Sequence, residues 1–324
     1  MAVTAGARRR ARRRPASPSV SVRGLAETAG QGRSVLVTGA SGGIGRAIVG
    51  HLADHGFDVW AAVHSDAGRA AFDDALGDRV RTVVFDVTDG DAIAGAAEEI
   101  GRSGPLFGLV NNAGAALPGP LEYVPIEQFR QQIEINLTGQ LRVTQAMLPA
   151  LRRGTDSWPD ARIVMMGSLD GRIVGPLFGP YAASKHALVG LADALRSELR
   201  PSRIKVVLLE PGVIATPIWQ RGISVLDELQ PQLPDGGGPY RGVIDFARGH
   251  VGNLSRWGAS PDRVADAVLR SLVDQNPRPR RVVGVDAAVV AAALQLLPPR
   301  AIYRVTALPA IWSNRQWARQ RGSR

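Results

Sequence analysis

"SVLVTGASGGIGRAIVG", residues 34 to 50, decides the fold. A short β-branched run ends in threonine, glycines follow at 39, 43 and 45, and a helical pattern starts at once. Without a Cβ, glycine lets such a turn bend tightly and bring backbone N–H groups close to a pyrophosphate. The N-terminus of the helix adds unpaired donors and positive potential. The spacing, G-x-x-x-G-x-G, departs from the G-x-G-x-x-G of many dinucleotide folds. A glycine turn can also serve only to seat a helix against a strand. The strand–turn–helix context favours nucleotide binding.

Outward from this stretch the same rhythm repeats. "DVWAAV" (58–63), "VRTVVFDV" (80–87), "LFGLVNNAG" (106–114), "RIVMMGS" (162–168), "IKVVLLEPG" (204–212) and "RRVVGV" (280–285) read as strands. Between them, stretches such as "GGIGRAIVGHLADHG" and "DAIAGAAEEIG" space their apolar residues at helical period. Apolar strands alternating with amphipathic helices imply a parallel sheet covered on both faces. The expected fold is therefore an α/β, doubly wound parallel sheet, a Rossmann fold, forming one domain over about residues 34–285. Residues 222–259 break the rhythm around "LQPQLPDGGGPYRG", and a long loop acting as a substrate lid is expected there. Residues 286–324 read as a C-terminal helical extension.

The 324 residues carry a net charge of +10. Residues 1–33 hold eight arginines and one glutamate, centred on "RRRARRR", and are expected to be a disordered tail. Such a run can attract nucleic acid or anionic lipid, but nothing in the domain pattern requires a nucleic acid. There is no cysteine, which excludes a disulfide framework and thiolate chemistry. No apolar h-region follows the arginines, so the expected location is cytoplasmic. The apolar run "AAVVAAALQLL" (287–297) is too short to span a bilayer, which needs about 20 residues. It leaves peripheral membrane contact open.

The second strand runs into "WAAVHSDAGR". A carboxylate at the end of this strand would bind a ribose 2′-hydroxyl and repel a 2′-phosphate. Val63 and His64 stand there instead, with Asp66 close by. His64 is either an exposed loop histidine or a phosphate contact. Arg46 and Arg69 are near enough to neutralise a phosphate, so NADP(H) is favoured, with NAD(H) as the alternative. Val63→Asp is the substitution expected to reverse that preference.

Four features converge further on: the glycine turn, "NNAG" at 111–114, Ser168, and Tyr181 with Lys185 in "GPYAASKHALVG". In this order and spacing they resemble the short-chain dehydrogenase/reductase family over roughly residues 34–216, most closely its retinol and hydroxysteroid dehydrogenase branch. The resemblance implies an oxidoreductase with Asn136, Ser168, Tyr181 and Lys185 as catalytic residues and no metal site. It places the cofactor against Gly39, Ser41, Gly43, Ile44 and Gly45, then His64, Asp86 and Val87. Asn112, Ala113 and Gly114, Tyr181 and Lys185, and Pro211, Gly212 and Thr216 complete that set. Asp86 would meet the adenine amino group, although a strand-end aspartate capping the next helix competes with that role. Asn136 would hold a water linking Lys185 to solvent. Homodimers or homotetramers, built through the helices of Asn136 and Tyr181, are also implied.

The chemistry can be argued independently of the resemblance. Interconverting an alcohol and a carbonyl by hydride transfer needs a proton donor or acceptor at the reacting oxygen. A free tyrosine, with a pKa of about 10, is a poor base at neutral pH. Lys185, four residues on, shares the helix face of Tyr181, and its charge is expected to lower the tyrosine pKa. Ser168, at a strand end, can hydrogen-bond the substrate oxygen. Leu169, Val174, Leu177 and Phe178, with "IWQRGISVL" from 218, suggest an apolar pocket and a small lipophilic alcohol or carbonyl substrate. The competing reading is a nucleotide-sensing protein that keeps this fold without turnover.

Overall fold

The computed structural model describes residues 29–73, 77–234, 237–308 and 311; most of the arginine-rich tail lies outside them. Seven strands form one sheet in the order β3-β2-β1-β4-β5-β6-β7, every pair parallel. They are β1 (Ser34–Val37), β2 (Asp58–Val63), β3 (Val80–Val84), β4 (Gly108–Asn111), β5 (Ala161–Met166), β6 (Ile204–Pro211) and β7 (Arg280–Val283). Each of the seven expected strands is present. β3 stops at Val84, short of the expected Val87.

The central strands are mainly apolar because both faces are covered. Along β1, Val35 and Val37 enter the core on one side of the sheet and Leu36 the core on the other. Helices α1 (Gly43–Asp54) and α9 (Pro261–Val273) cover the first side, through Ile48, Leu52, Val264 and Val268. Helices α3 (Gly90–Ser103), α5 (Gly139–Ser157) and α6 (Gly179–Leu199) cover the second, through Ile93, Met147 and Leu188. α2 (Asp66–Asp73) follows β2, and α4 (Ile126–Ile133) runs into α5 through a π-helical turn, Glu134–Thr138.

The strand order reverses between β1 and β4. Crossovers leave to opposite faces there and open a crevice at the carboxyl ends of the strands, where nucleotides bind in such sheets.

Residues 222–259 are mainly helical, which corrects the expectation of a loop. α7 (Ile218–Leu229) and α8 (Arg241–Trp257) form a helical pair joined through the proline- and glycine-rich stretch. Leu226, Leu229, Val243 and Ile244 bury a small separate core with Leu177. The proline and glycine signal is real, but it marks only the link between the helices. α10 (Val285–Leu296) and helical residues 299–308 follow β7.

Candidate active site

The glycine turn lies at the strand reversal and is held from both sides. Gly39 has φ +62°, and a Cβ there would meet the Ala113 backbone at 2.8 Å. A Cβ on Gly45 would stand 2.1 Å from the Gly39 carbonyl oxygen. "NNAG" clamps the turn from β4. Asn112 donates from Nδ2 to the Thr38 and Gly39 carbonyls, while Thr38 Oγ1 accepts from the N–H groups of Asn112 and Ala113. Asn111, fully buried, donates to Thr144 Oγ1 and ties β4 to α5.

Beside the turn runs a groove of about 430 Å³. Gly39, Ser41, Gly43, Ile44, Gly45, His64, Asp86, Val87, Asn112, Ala113, Gly114 and Thr216 all line it. No side chain caps the N-terminus of α1 and no acidic residue sits in its first turn, so its donors suit a phosphate. These residues fit a dinucleotide.

Asp86 keeps its groove position. Its carboxylate accepts from the Thr88 N–H and hydroxyl, while the cap of α3 is Asp89, so Asp86 does not cap that helix. Val63 is different. It is 1% exposed, belongs to the core and does not reach the groove, because the alternation of β2 turns it inward and His64 outward. The residue at the end of β2 that lines the groove is therefore His64 rather than Val63. Arg46 is also engaged elsewhere, its guanidinium lying over the Phe72 ring.

A second cavity of about 90 Å³ adjoins the groove and shares Ile44, Asn112, Gly114, Thr216 and Ile218 with it. Ser168, Tyr181, Lys185, Pro211 and Gly212 line this cavity. Tyr181 and Lys185 arrive from the first turns of α6, and Ser168 from the end of β5. A 3₁₀ turn, Leu169–Gly171, follows Ser168. Lys185 is buried and donates from Nζ to the Met166 carbonyl at 2.8 Å, with Nζ 5.6 Å from the Tyr181 ring centre.

Burial pushes the Lys185 ammonium down to about 8, against the pull of Asp170. Burial, then the Asp170 carboxylate, pushes the Tyr181 phenol well above its usual range, with a Ser168 hydrogen bond opposing. This corrects the expected balance at Tyr181: desolvation outweighs any help from the lysine, whose charge is directed at a backbone carbonyl.

Asp170 is the residue that sequence reading missed. Its Oδ2 accepts from Ser168 Oγ at 3.1 Å, and its N–H donates back to the same oxygen at 3.1 Å. Burial raises the Asp170 carboxyl, with Ser168, Lys185 and His186 opposing. Serine has a single proton. While Asp170 is ionised its carboxylate competes with Tyr181 for that proton; once Asp170 is protonated this competition ends. Arg172 in the same loop grips the buried Glu210 of β6 through both carboxylate oxygens, and Arg280 of β7 joins it. Burial raises the Glu210 carboxyl, but the two guanidiniums outweigh it and hold the group below its usual range. The clamp fixes the Ser168 loop against the strand that carries Pro211.

Asn136, wholly buried in the π-helical turn, lines neither cavity. Its amide accepts from the Ala115 N–H and donates to the Ala115 carbonyl and to Ser184 Oγ. It joins the loop after "NNAG" to the residue before Lys185. The apolar residues expected around the substrate are also redistributed. Leu177 is buried beneath α7 and α8, and Val174 is 42% exposed. Neither these nor Leu169 and Phe178 line the cavity, whose apolar wall comes from Ala116, Ile214, Ile218 and Trp219. Phe178 supports that wall from behind, edge-on to Trp219.

Residues 33–224 match the family model described as short chain dehydrogenase. The chain belongs to the short-chain dehydrogenase family. It is 34% identical over 285 residues to the NADPH-dependent 3-dehydrocapnine reductase of Ornithobacterium rhinotracheale, covering 84% of this chain and 95% of the relative. To 17-beta-hydroxysteroid dehydrogenase type 6 of Bos taurus it is 32% identical over 281 residues, 83% and 86% of the two chains. A short chain dehydrogenase from Burkholderia cenocepacia J2315, solved in complex with NADP, superposes with TM-score 0.65 at 25% identity, covering 85% of this chain and 98% of that one. Solved relatives of this fold include both NADP- and NAD-bound proteins. As a short-chain dehydrogenase the chain is an oxidoreductase acting on CH–OH groups with a nicotinamide cofactor.

The sequence also gave no warning of Arg221. It reaches the cofactor groove from α7 and, with Asp86, is one of two formally charged side chains on that wall among the described residues. Only its place one helical turn after Ile218 hints at it.

Proposed function

We propose that this short-chain dehydrogenase is an NADP(H)-dependent reductase of a small lipophilic ketone or aldehyde, running in reverse as an alcohol dehydrogenase. The observation that carries the reading is the meeting of Ser168, Tyr181 and Lys185 in one cavity continuous with the dinucleotide groove. A bound nicotinamide supplies or accepts the hydride. Tyr181 gives its proton to the forming alkoxide in reduction and takes it back in oxidation. Burial keeps the phenol protonated, the state from which carbonyl reduction starts, so reduction is the proposed direction. Ser168 donates to the substrate oxygen, and Lys185 adds positive charge beside it and holds the ribose. Asn136 positions the loop and α6; the water path to Lys185 implied by the resemblance belongs to the same proposal.

The lipophilic substrate rests on the wall of Ala116, Ile214, Ile218 and Trp219. α7 and α8 would act as its lid. The NADP(H) preference rests on His64, the groove residue that follows β2 where a carboxylate would repel a 2′-phosphate; Asp86, after β3, is the one carboxylate lining the groove among the described residues. A homodimer or homotetramer through α5 and α6 is supported by exposed small residues at helical spacing on α6, Ala183, Ala187, Gly190 and Ala194, which permit close approach of a second helix. A nucleotide sensor without turnover is not favoured, since both Tyr181 and Lys185 reach the cavity.

An absorbance-coupled screen of ketones, aldehydes and alcohols with both cofactors tests the reading. Consumption of NADPH with apolar carbonyl compounds is expected. Equal or better efficiency with NADH overturns the cofactor preference, and a preference for charged sugars overturns the substrate class. Absence of turnover with every pair overturns the enzymatic reading.

A further inference from the structure

The C-terminal helices expose an apolar face that no other described element covers. On α10, Val285, Val289 and Leu296 are 69, 64 and 84% exposed, and their spacing places them on one side of the helix. Tyr303, Val305 and Leu308 extend the exposed apolar surface into residues 299–308. Trp257, 82% exposed, shares the wall of a hollow with Val285. Large exposed patches of this kind mark interaction sites.

Charge identifies the partner. Residues 275–324 hold nine arginines against one acidic residue, net +8, and residues 1–33 carry net +7. The body between them, 34–274, has 22 basic and 27 acidic residues, net −5. The one acid of the C-terminal segment, Asp286, is turned toward the active site, where its Oδ2 accepts from the Val213 N–H at 2.8 Å. Arg300 and Arg304 are exposed one turn apart on the same side of their helix. An apolar face bordered by arginine, with tryptophan and tyrosine among its exposed residues, has the composition of an interfacial helix. A second copy of the chain would set one strongly positive segment against another.

We propose that α10 and residues 299–308 dock this enzyme on the surface of an anionic bilayer. The apolar stripe enters the headgroup boundary, and Arg300 and Arg304 meet lipid phosphates. Asp286 ties the docked helix to Val213, inside the 211–216 segment that borders the catalytic cavity. A lipophilic substrate would thus be drawn from the phase on which the enzyme rests. That consequence depends on the substrate class proposed above; the docking itself does not.

The test floats the full-length protein with vesicles of phosphatidylcholine alone, or with one third phosphatidylglycerol. At an ionic strength of about 0.05 M it should rise with the anionic vesicles, leave them by about 0.5 M, and ignore the neutral ones. Val289→Glu combined with Leu296→Glu, both at exposed positions, should lower the partition coefficient at least tenfold. Arg300→Gln and Arg304→Gln should each lower it about fivefold. Melting temperature and cofactor affinity should stay unchanged in all of these variants. The arginine tail remains throughout, so undiminished flotation of the Val289/Leu296 variant assigns binding to the tail and overturns the proposal. Failure of the wild type to float also overturns it. So does the variant losing an oligomeric state while the wild type ignores vesicles, which makes the face an interface between copies.

Discussion

The two ends of the crevice are built in opposite ways. At the nucleotide end the backbone does the work: a contiguous glycine turn, fitted against Ala113 and the Gly39 carbonyl, presents N–H groups at the start of α1. Few charged groups face that groove. At the catalytic end the work falls to side chains from separate elements, Ser168 after β5 and Tyr181 and Lys185 on α6, with burial shifting their protonation. A backbone site is sensitive to added atoms and tolerant of changed chemistry; a side-chain site is the reverse. The contrast predicts which substitutions injure stability and which injure turnover.

The largest expected effect is at the catalytic end. Tyr181→Phe keeps the ring and loses only the proton, so turnover should fall by about 10² to 10⁴ while cofactor affinity stays within about twofold. Cofactor titration beside steady-state rates checks this, and turnover within about tenfold of wild type would break the contrast. Next comes Val63→Asp, which places a carboxylate in the apolar core rather than in the groove. It should destabilise the fold by about 3 kcal/mol or more, seen as a lowered melting temperature, instead of switching the cofactor. A stable, NAD-preferring Val63→Asp protein would show that β2 presents that side chain to the ribose after all.

Gly45→Ala sharpens the other side of the comparison. Its methyl would collide with the Gly39 carbonyl, so about 1–3 kcal/mol of stability should be lost together with cofactor affinity. Turnover at saturating cofactor should be much less affected. His64→Asp should shift the ratio of efficiencies toward NAD by about tenfold, through repulsion of the 2′-phosphate, with melting unchanged. An unmoved ratio would return His64 to the role of an exposed loop residue.

The smallest effect concerns Asp170. Its carboxyl lies above the ordinary range in the folded protein, so it takes up a proton as pH falls toward its raised pKa. Protonation ends the carboxylate's competition for the Ser168 proton, and carbonyl reduction should gain efficiency on the acid side. Linkage has the same sign: Asp170 contributes most to stability when protonated, and that contribution is lost as pH rises from its unfolded to its folded pKa. In Asp170→Asn the acid-side gain should vanish, a change of a few-fold read from pH profiles of kcat/KM. Superposable profiles for the two proteins would leave Asp170 a purely structural partner of Ser168.

Much of this molecule was legible in the chain because the decisive signals are local. Strand runs buried on both faces are mainly apolar, and β-branched content marked the edge strands β3 and β7 as well. The glycine turn, "NNAG" and the Tyr181–Lys185 spacing are likewise properties of a few neighbouring residues; the groove gathers residues of the first two, and the adjoining cavity holds Tyr181 and Lys185. The proline- and glycine-rich stretch misled because breakers report where a helix stops, not how much helix lies on either side; α7 and α8 flank it.

What only the tertiary structure decided is everything that depends on which face a side chain takes and what burial does to it. The alternation of β2 sends Val63 inward and His64 outward. Packing of α7 carries Arg221 and Trp219 to the crevice and seals Leu177 beneath α7 and α8. Asp170 met Ser168 only when the turn after β5 folded it back, and Asp286 met Val213 across 73 residues of chain. The sequence by itself determined the sheet and the glycine turn and singled out the Tyr181–Lys185 pair, because each is written in a few neighbouring positions. The protonation of those residues was decided in three dimensions, since desolvation is a property of the whole surrounding fold and of no single stretch within it.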